Sequence, residues 1–594
     1  MHTLAIPYRS YIIRGINMKE RKEIFYSNLN TIAAGETETV FTGEKWLAVP
    51  YETTDYKGTA LVASETANPK AIALKLNAKG WYKIYICLAD VTGTNALEIS
   101  LSKEKEKTLV RPSHLGWVDG TFSWSPFDFA EEVFYKAADL TGQDLIINKP
   151  VYGLQFTAAL FSVRLVPMTE TEIENYTTAK NTARMAYHFD SDYFYECDYN
   201  TPNEYLGRMD TLHGGNGDFI IHECGMWINS WSEDSPSSFH KLVQDKRVKA
   251  RACATEIFDK LQARAHSFGM KILAGCRVEA GEFLWPSTGV LNQEKSLGGD
   301  ACRLQTREGR MLGAGSFAYE TVREKVIEQI LQQLPANWDG VSIFLQRGIL
   351  VGFEEPIREY VAKKYGVDAK RLPYGDARLT EALCLPMTQF IKELRARLDA
   401  RSAENGRGRY ALNVVSLFEV DNCKEFGYDI ETWVKEGYID SICQGLMGYK
   451  ENTEDLLADD GLIDLEKYKE AQKTRHVFTR YYDAKKDIIV GALPQWLEIS
   501  KKYGVDFYAT LPWEHPPYNE QIAMAKALYE AGAEKLFSWN TNHSAQRPAT
   551  IQAIKDCGDK ELITQQEGKE YRKLIRIYSF GGNDVSTFCV NWMG

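Results

Sequence analysis

The stretch RACATEIFDKLQARAHSFGMKILAGC, residues 251–276, contains a complete helix, turn and strand. Ala254, Ile257, Phe258, Leu261 and Ala265 recur at three- and four-residue spacing, which places them on one face of a helix. Gly269 ends that helix and feeds directly into Lys271-Ile272-Leu273-Ala274-Gly275-Cys276, an apolar run short enough to be a buried strand. The unit recurs. Val322, Val326, Ile327, Ile330 and Leu331 precede Gly340 to Leu345; Trp496 and Leu497 precede Gly504 to Ala509; Ala523, Ala527 and Leu528 precede Gly532 to Trp539. Helices that end in glycine and lead into buried strands are the sequence form of a parallel βαβ array, and about 370 residues of it suit a (β/α)8 TIM barrel with long loops.

Eight strands are expected, beginning near Ala186, Phe219, Ile272, Val341, Ala411, Ser441, Phe507 and Leu536. The leftover run His476-Val477-Phe478 falls in an insertion after strand six. A doubly wound open sheet is the competing architecture, but no Gly-x-Gly-x-x-Gly follows a strand, so its phosphate cradle is missing. Ahead of the array the pattern is different. Up to about Pro167 the chain reads as short alternating runs such as Trp81 to Leu88 and Ala159 to Leu165, broken by turn residues, which predicts a β-sandwich. The expected organisation is therefore multidomain: an extension over 1–27, an all-β sandwich accessory domain over 28–170, a polar connection, an α/β barrel over 184–560, and a C-terminal segment over 561–594 packing on the body.

Composition narrows the function classes. The 594 residues are 44% hydrophobic and 12% aromatic, with 13 Trp, enough to fill a large core and still furnish a cleft, which excludes a disordered chain. A net charge of −11 offers no clustered basic field, so nucleic acid and membrane are not expected partners. Eleven cysteines without a C-x-x-C pair form neither a disulfide framework nor a zinc site and are read as mostly buried thiols. Arg9 and Arg14 interrupt the only apolar stretch near the start, so no secretory signal is seen. A cytoplasmic protein is the simplest reading, and a secreted chain already trimmed of its leader would read the same way.

Barrel enzymes work at the carboxyl ends of their strands, and here those ends are rich in acids and rings. In strand order they bring His188 and Asp190; His222, Glu223 and Trp227; Arg277, Glu279 and Trp285; Gln346, Arg347 and, after a short loop, Glu354; Glu419; Gln444 and Tyr449; Trp513, Glu514 and His515; Trp539 and Asn540. Hydrolysis of a glycosidic bond asks for such a set. One carboxyl protonates the leaving oxygen, a second attacks the anomeric carbon or activates water, and sugar rings stack on aromatics while polar side chains hold the hydroxyls.

The chain also resembles a known family. Ala265 to Lys271 into Cys276-Arg277, Gly315 to Arg323, Trp338-Asp339-Gly340-Val341 with Gln346-Arg347-Gly348, Phe353-Glu354-Glu355-Pro356, Lys364 to Asp368, and Ala531 through Asn542 are similar to family-10-like glycosyl hydrolases, over roughly Arg184 to Thr550. The resemblance implies a carbohydrate-active barrel. Two departures stand out: strand four ends Ser342 to Gln346 without an acid, and Asn540 occupies a position where an Asp is expected. By analogy with retaining barrel glycosidases, Glu514 is the expected nucleophile and Glu354 the acid/base, with Glu279 the main substitute and Asp190 a further candidate. Arg277, Arg347, His188, Glu223, Trp227, Trp285, Tyr449, Trp513, His515, Trp539 and Asn540 are expected around the substrate. No cofactor and no metal are called for, and the partner is a carbohydrate of unspecified sugar and linkage. Two alternatives remain: a metal-dependent barrel hydrolase using His188, Asp190, His222 and His515, or a barrel that binds carbohydrate without cleaving it.

Overall fold

A computed structural model describes residues 22–33, 37–64, 66–89, 95–112, 117–118, 121–122, 129–150, 157–178, 181–189, 206–207, 209–225, 258–278, 300–345, 352–449, 456–471, 478–480, 486–512, 518–544, 547–566, 568 and 572–584. Eight parallel strands form a closed barrel in chain order: Met185–Phe189, Gly217–Gly225, Lys271–Arg277, Gly340–Phe344, Ala411–Val415, Ser441–Cys443, Asp506–Thr510 and Lys535–Ser538. The last pairs with the first through Leu536 and Met185. All eight expected runs are barrel strands. The leftover run also falls outside the barrel, since Phe478–Arg480 pairs antiparallel with Met447–Tyr449 after strand six.

The stops follow the expected chemistry. Gly269 and Gly504 end their helices at φ of 74° and 69°, a left-handed conformation that costs a residue with a Cβ about 1 kcal/mol or more. Inside the barrel, apolar layers are joined on one side by a polar chain: Ser342 Oγ donates to Asn413 Oδ1 (2.7 Å), and Asn413 Nδ2 donates to Ser441 Oγ (2.8 Å). All three residues are buried, and this chain gives each of them a hydrogen-bond partner.

The β-rich unit differs from a simple sandwich. Besides the short pair Trp117–Val118 and Thr121–Phe122, two sheets are described, and Ile84, Ile86, Val163 and Leu165 of the larger share one apolar cluster with Leu74, Ile99, Leu101 and Ile147 of the smaller. The larger sheet, however, closes on itself. Its pairings run Trp46–Thr53, Lys57–Ala63, Ala158–Pro167, Trp81–Ala89, Phe129–Asp139, Arg572–Phe580 and back to Trp46–Thr53. A second cluster fills this ring with residues from all six strands, among them Val49, Ala60, Phe161, Cys87, Ala130 and Ile577. Closure leaves those strands without open edges.

The domain limits shift accordingly. Arg572–Phe580, read as a segment packing on the body, is a strand of this first unit, and Ile24–Tyr26, assigned to the extension, pairs with Ala158–Pro167. Period-two patterning detects strands but not their partners across the chain, so nothing in residues 572–580 pointed to their sheet. The connection contains the helix Glu170–Thr178. A capping box starts it, with Thr169 Oγ1 accepting from Glu172 N and the Glu172 carboxylate accepting from Thr169 N at 2.8 Å.

Among the described residues no helix is long and apolar enough to cross a membrane. Seven cysteine side chains are described, all of them free thiols, and five of these are buried.

Candidate active site at the barrel mouth

Strand register decides which side chains reach the barrel interior. His188 is in register with Ile221, and Phe189 with His222, so His188 and Glu223 point inward while His222 faces the surrounding helices. There His222 packs against Trp338 at 5.6 Å between ring centroids, and burial pushes its imidazole down to about 3. His188 and His222 therefore do not converge on one ion. Among the described residues no three His, Cys, Asp or Glu side chains form a metal-binding group.

The inward residues of strands one to three form one buried cluster. Arg277 Nε donates to both Glu223 oxygens (3.0 and 2.9 Å), and Arg277 Nη2 lies 2.8 Å from Oε1. His188 Nε2 lies 2.7 Å from Glu223 Oε1, while His188 Nδ1 accepts the backbone N–H of Asn540 at 3.3 Å. With Nδ1 an acceptor, the proton sits on Nε2 and is donated to Glu223. Gly275 makes this approach possible, because a Cβ there would stand 3.0 Å from Glu223 Cγ. The arrangement occupies Glu223 on both oxygens, which suits orientation better than proton transfer.

Aromatic residues from strands four and eight close over the cluster. Phe344 lies 5.0 Å from His188 and 6.0 Å from Trp539, with the Arg277 guanidinium 5.6 Å from its ring centre. Phe344 was missed in the sequence because the end of strand four was inspected for an acid. Its period-two relation to the inward Ser342 was the available signal. Trp539 is buried against His188 and Phe537. Asn540 follows at φ 42°, a conformation that Asn tolerates better than most residues, and its buried Oδ1 has no hydrogen-bond partner among the described residues.

Glu354 stands nine positions beyond Leu345, at the start of the helix Glu355–Tyr365. Its Oε1 accepts the backbone N–H of Gln305 (2.8 Å), on the hairpin formed by Arg303–Gln305 and Met311–Gly315. That hairpin follows strand three and the helix follows strand four, so both belong to the carboxyl-end face. Glu354 is 1% exposed, and burial raises its carboxyl to about 7, against the opposing pull of Gln305 N–H and Arg358.

Gln444 is also buried, but it is spent on the backbone, donating to Phe418 O and accepting from Thr510 N. Of Tyr449 only the backbone is described, in the hairpin after strand six. Asp190, Trp227, Glu279, Trp285, Arg347, Trp513, Glu514 and His515 lie outside the described residues.

No protein-family model and no curated protein matches the chain. Solved structures similar to it include the catalytic domain of β-amylase from Paenibacillus polymyxa, at 10% identity and a TM-score of 0.37, covering 65% of this chain and 99% of that one. The glycoside hydrolase domain of PgaB from Bordetella bronchiseptica is similar at 12% identity and a TM-score of 0.38, with 65% and 99% covered. The catalytic domain of chitinase B from Arthrobacter TAD20 gives 12% identity and a TM-score of 0.33, with 64% and 95% covered.

Proposed function

We propose that the protein is a glycoside hydrolase that cleaves an oligo- or polysaccharide at the barrel mouth with two carboxyl groups. The observation that carries this reading is Glu354. It is a buried carboxyl on the carboxyl-end face, and its raised affinity for protons keeps a substantial fraction protonated at neutral pH. A general acid for a glycosidic oxygen needs that state. Glu514 on the loop after strand seven is the proposed nucleophile, with Glu279 and Asp190 as substitutes. Asn540 Oδ1 would accept from a sugar hydroxyl, and Trp539 would support that contact from beneath. His188, Glu223 and Arg277 act together as a positioning cluster that fixes the turn at Asn540. The resemblance to family-10-like glycosyl hydrolases supports the same reaction class, and the β-ring unit serves as an accessory module.

The test is turnover of a panel of aryl glycosides by the full chain and by Glu354→Gln and Glu514→Gln. The proposal expects Glu514→Gln to abolish turnover, and Glu354→Gln to spare substrates with good leaving groups, which need little protonation. Unchanged turnover in both variants, or no turnover of any glycoside by the parent protein, overturns it. A barrel that binds sugar without cleaving it would show binding in the parent and no hydrolysis.

A further inference from the structure

A cavity lies away from the strand ends. About 560 Å³ opens between the β-ring unit and the floor of the barrel, a size typical of small-molecule sites, which favour domain junctions. One wall is Tyr85 and Phe134 to Ala138 of the ring unit. The other is the turn Asp210 to Gly214 before strand two, Phe268 before strand three, and the helix Pro548–Cys557. Tyr176 of the connecting helix closes one side.

Most of its charges are already matched. Lys83 is paired with Glu172 and Lys136 with Glu104, both at 2.6 Å, and Asp210 is paired with Arg264. Lys555 is the exception. Its half-buried ammonium makes no hydrogen bond and no ion pair with any described residue, and the carboxylate of adjacent Asp556 is engaged by Tyr518 Oη (2.6 Å) and Gln552 Nε2 (2.7 Å). Burial holds this ammonium down to about 8, with the charge of Asp556 pulling the other way. Nearby His213, an exposed residue, presents an imidazole whose nitrogens make no hydrogen bond to any described residue, set between Phe268 (5.1 Å) and Tyr176 (6.3 Å). Partial desolvation, with Lys555 adding to it, lowers the proton affinity of that imidazole, whose nitrogens are open to hydroxyls.

We infer that this cleft is a second binding site, for a pyranose carrying one anionic substituent, with the anion on Lys555, hydroxyls on His213, and the ring face against the aromatic wall. The cation without a described hydrogen-bond partner suits an anion, the imidazole suits hydroxyls, and the aromatic wall suits the C–H face of a sugar ring. Carboxylate and phosphate share this chemistry. The site stands independently of the reaction assigned to the barrel mouth, because its test reads binding and not turnover.

The experiment is calorimetric titration of the full chain with sodium galacturonate, glucose 6-phosphate and glucose at constant ionic strength. At least one of the two anionic sugars should bind saturably at one site, tenfold or more tighter than glucose; which of them does identifies the substituent. Lys555→Met, which keeps the alkyl length, should weaken that binding at least tenfold, while Lys560→Met on the neighbouring surface leaves it unchanged. A second measurement needs no variant: acetylation of Lys555 by an amine-reactive ester, read by mass spectrometry, should be slowed by the bound anionic sugar and not by glucose. Equal binding of glucose, unchanged affinity in Lys555→Met, or labelling of Lys555 that no anionic sugar slows overturns the inference.

Discussion

His188 gives its Nε2 proton to Glu223 across 2.7 Å while its other nitrogen receives the backbone N–H of Asn540, so the first barrel strand fixes the backbone turn that follows the eighth. The two strands are neighbours only because the barrel closes. Glu223 is in turn held in a two-pronged grip by Arg277, and all three side chains are buried.

That burial makes the cluster sensitive to removal of one partner. Glu223→Gln leaves the Arg277 guanidinium buried without its counter-charge and should destabilise the fold by about 3 kcal/mol or more, measured by urea unfolding. The double replacement Glu223→Leu with Arg277→Met should recover most of the loss, because it removes both charges. A single variant as stable as the parent would show that water reaches the pair.

Glu354 carries a pH signature. Its folded value of about 7 lies above the ordinary 4.5, so below pH 4.5 the carboxyl is protonated whether the chain is folded or not, and it contributes no pH dependence. Between 4.5 and 7 the unfolded chain ionises first, and the fold loses stability as pH rises, by roughly 3 kcal/mol once 7 is passed. Glu354→Gln keeps an acceptor for Gln305 N–H and has no charge to bury. Its unfolding midpoint should therefore match the parent near pH 4.5 and exceed it at pH 8. In turnover, activity on substrates with poor leaving groups should fall as pH rises through about 7.

At Asn540, stability and function should part. Asn540→Gly removes a buried, unpartnered oxygen and eases a φ of 42°, so the unfolding midpoint should hold or rise. The same change deletes the acceptor proposed for a sugar hydroxyl and should raise KM several-fold with a smaller effect on kcat. A fall in stability with no change in KM would assign Asn540 a purely structural role.

Ending the chain after residue 570 removes Ile575, Ile577 and Phe580 from the ring core and unpairs one side of both Trp46–Thr53 and Phe129–Asp139. Exposed edges of this length invite self-association. The truncated protein should sediment as aggregates, or be cut within residues 46–139 by a protease that spares the parent. A monomer with unchanged melting would refute the closed ring.

The barrel was legible in the sequence because each of its units is local. A helix face, a glycine stop and an apolar run lie within about thirty residues, and all eight runs appear as strands. The ring was not, since its closing strand Arg572–Phe580 is joined to Phe129–Asp139 by pairing that no local pattern encodes. The site divided along the same line. Glu354, His188, Glu223, Arg277, Trp539 and Asn540 were singled out by position relative to strand ends. That Glu223 is taken up by Arg277 and His188, and that His222 faces outward, depends on register and packing between strands far apart in sequence.

The closed ring also has a consequence in time. Its strand Phe129–Asp139 is made early and its partner Arg572–Phe580 near the end, 433 positions later by the count from Asp139 to Arg572. Ribosomes add about 5–20 residues per second, so roughly 20 to 90 s separate the two during synthesis. The entire (β/α)8 unit emerges in that interval and can fold while the β-ring waits, unsealed, for its last strand. In the genome-to-fold direction the barrel thus lies between strands that pair with one another in the β-ring.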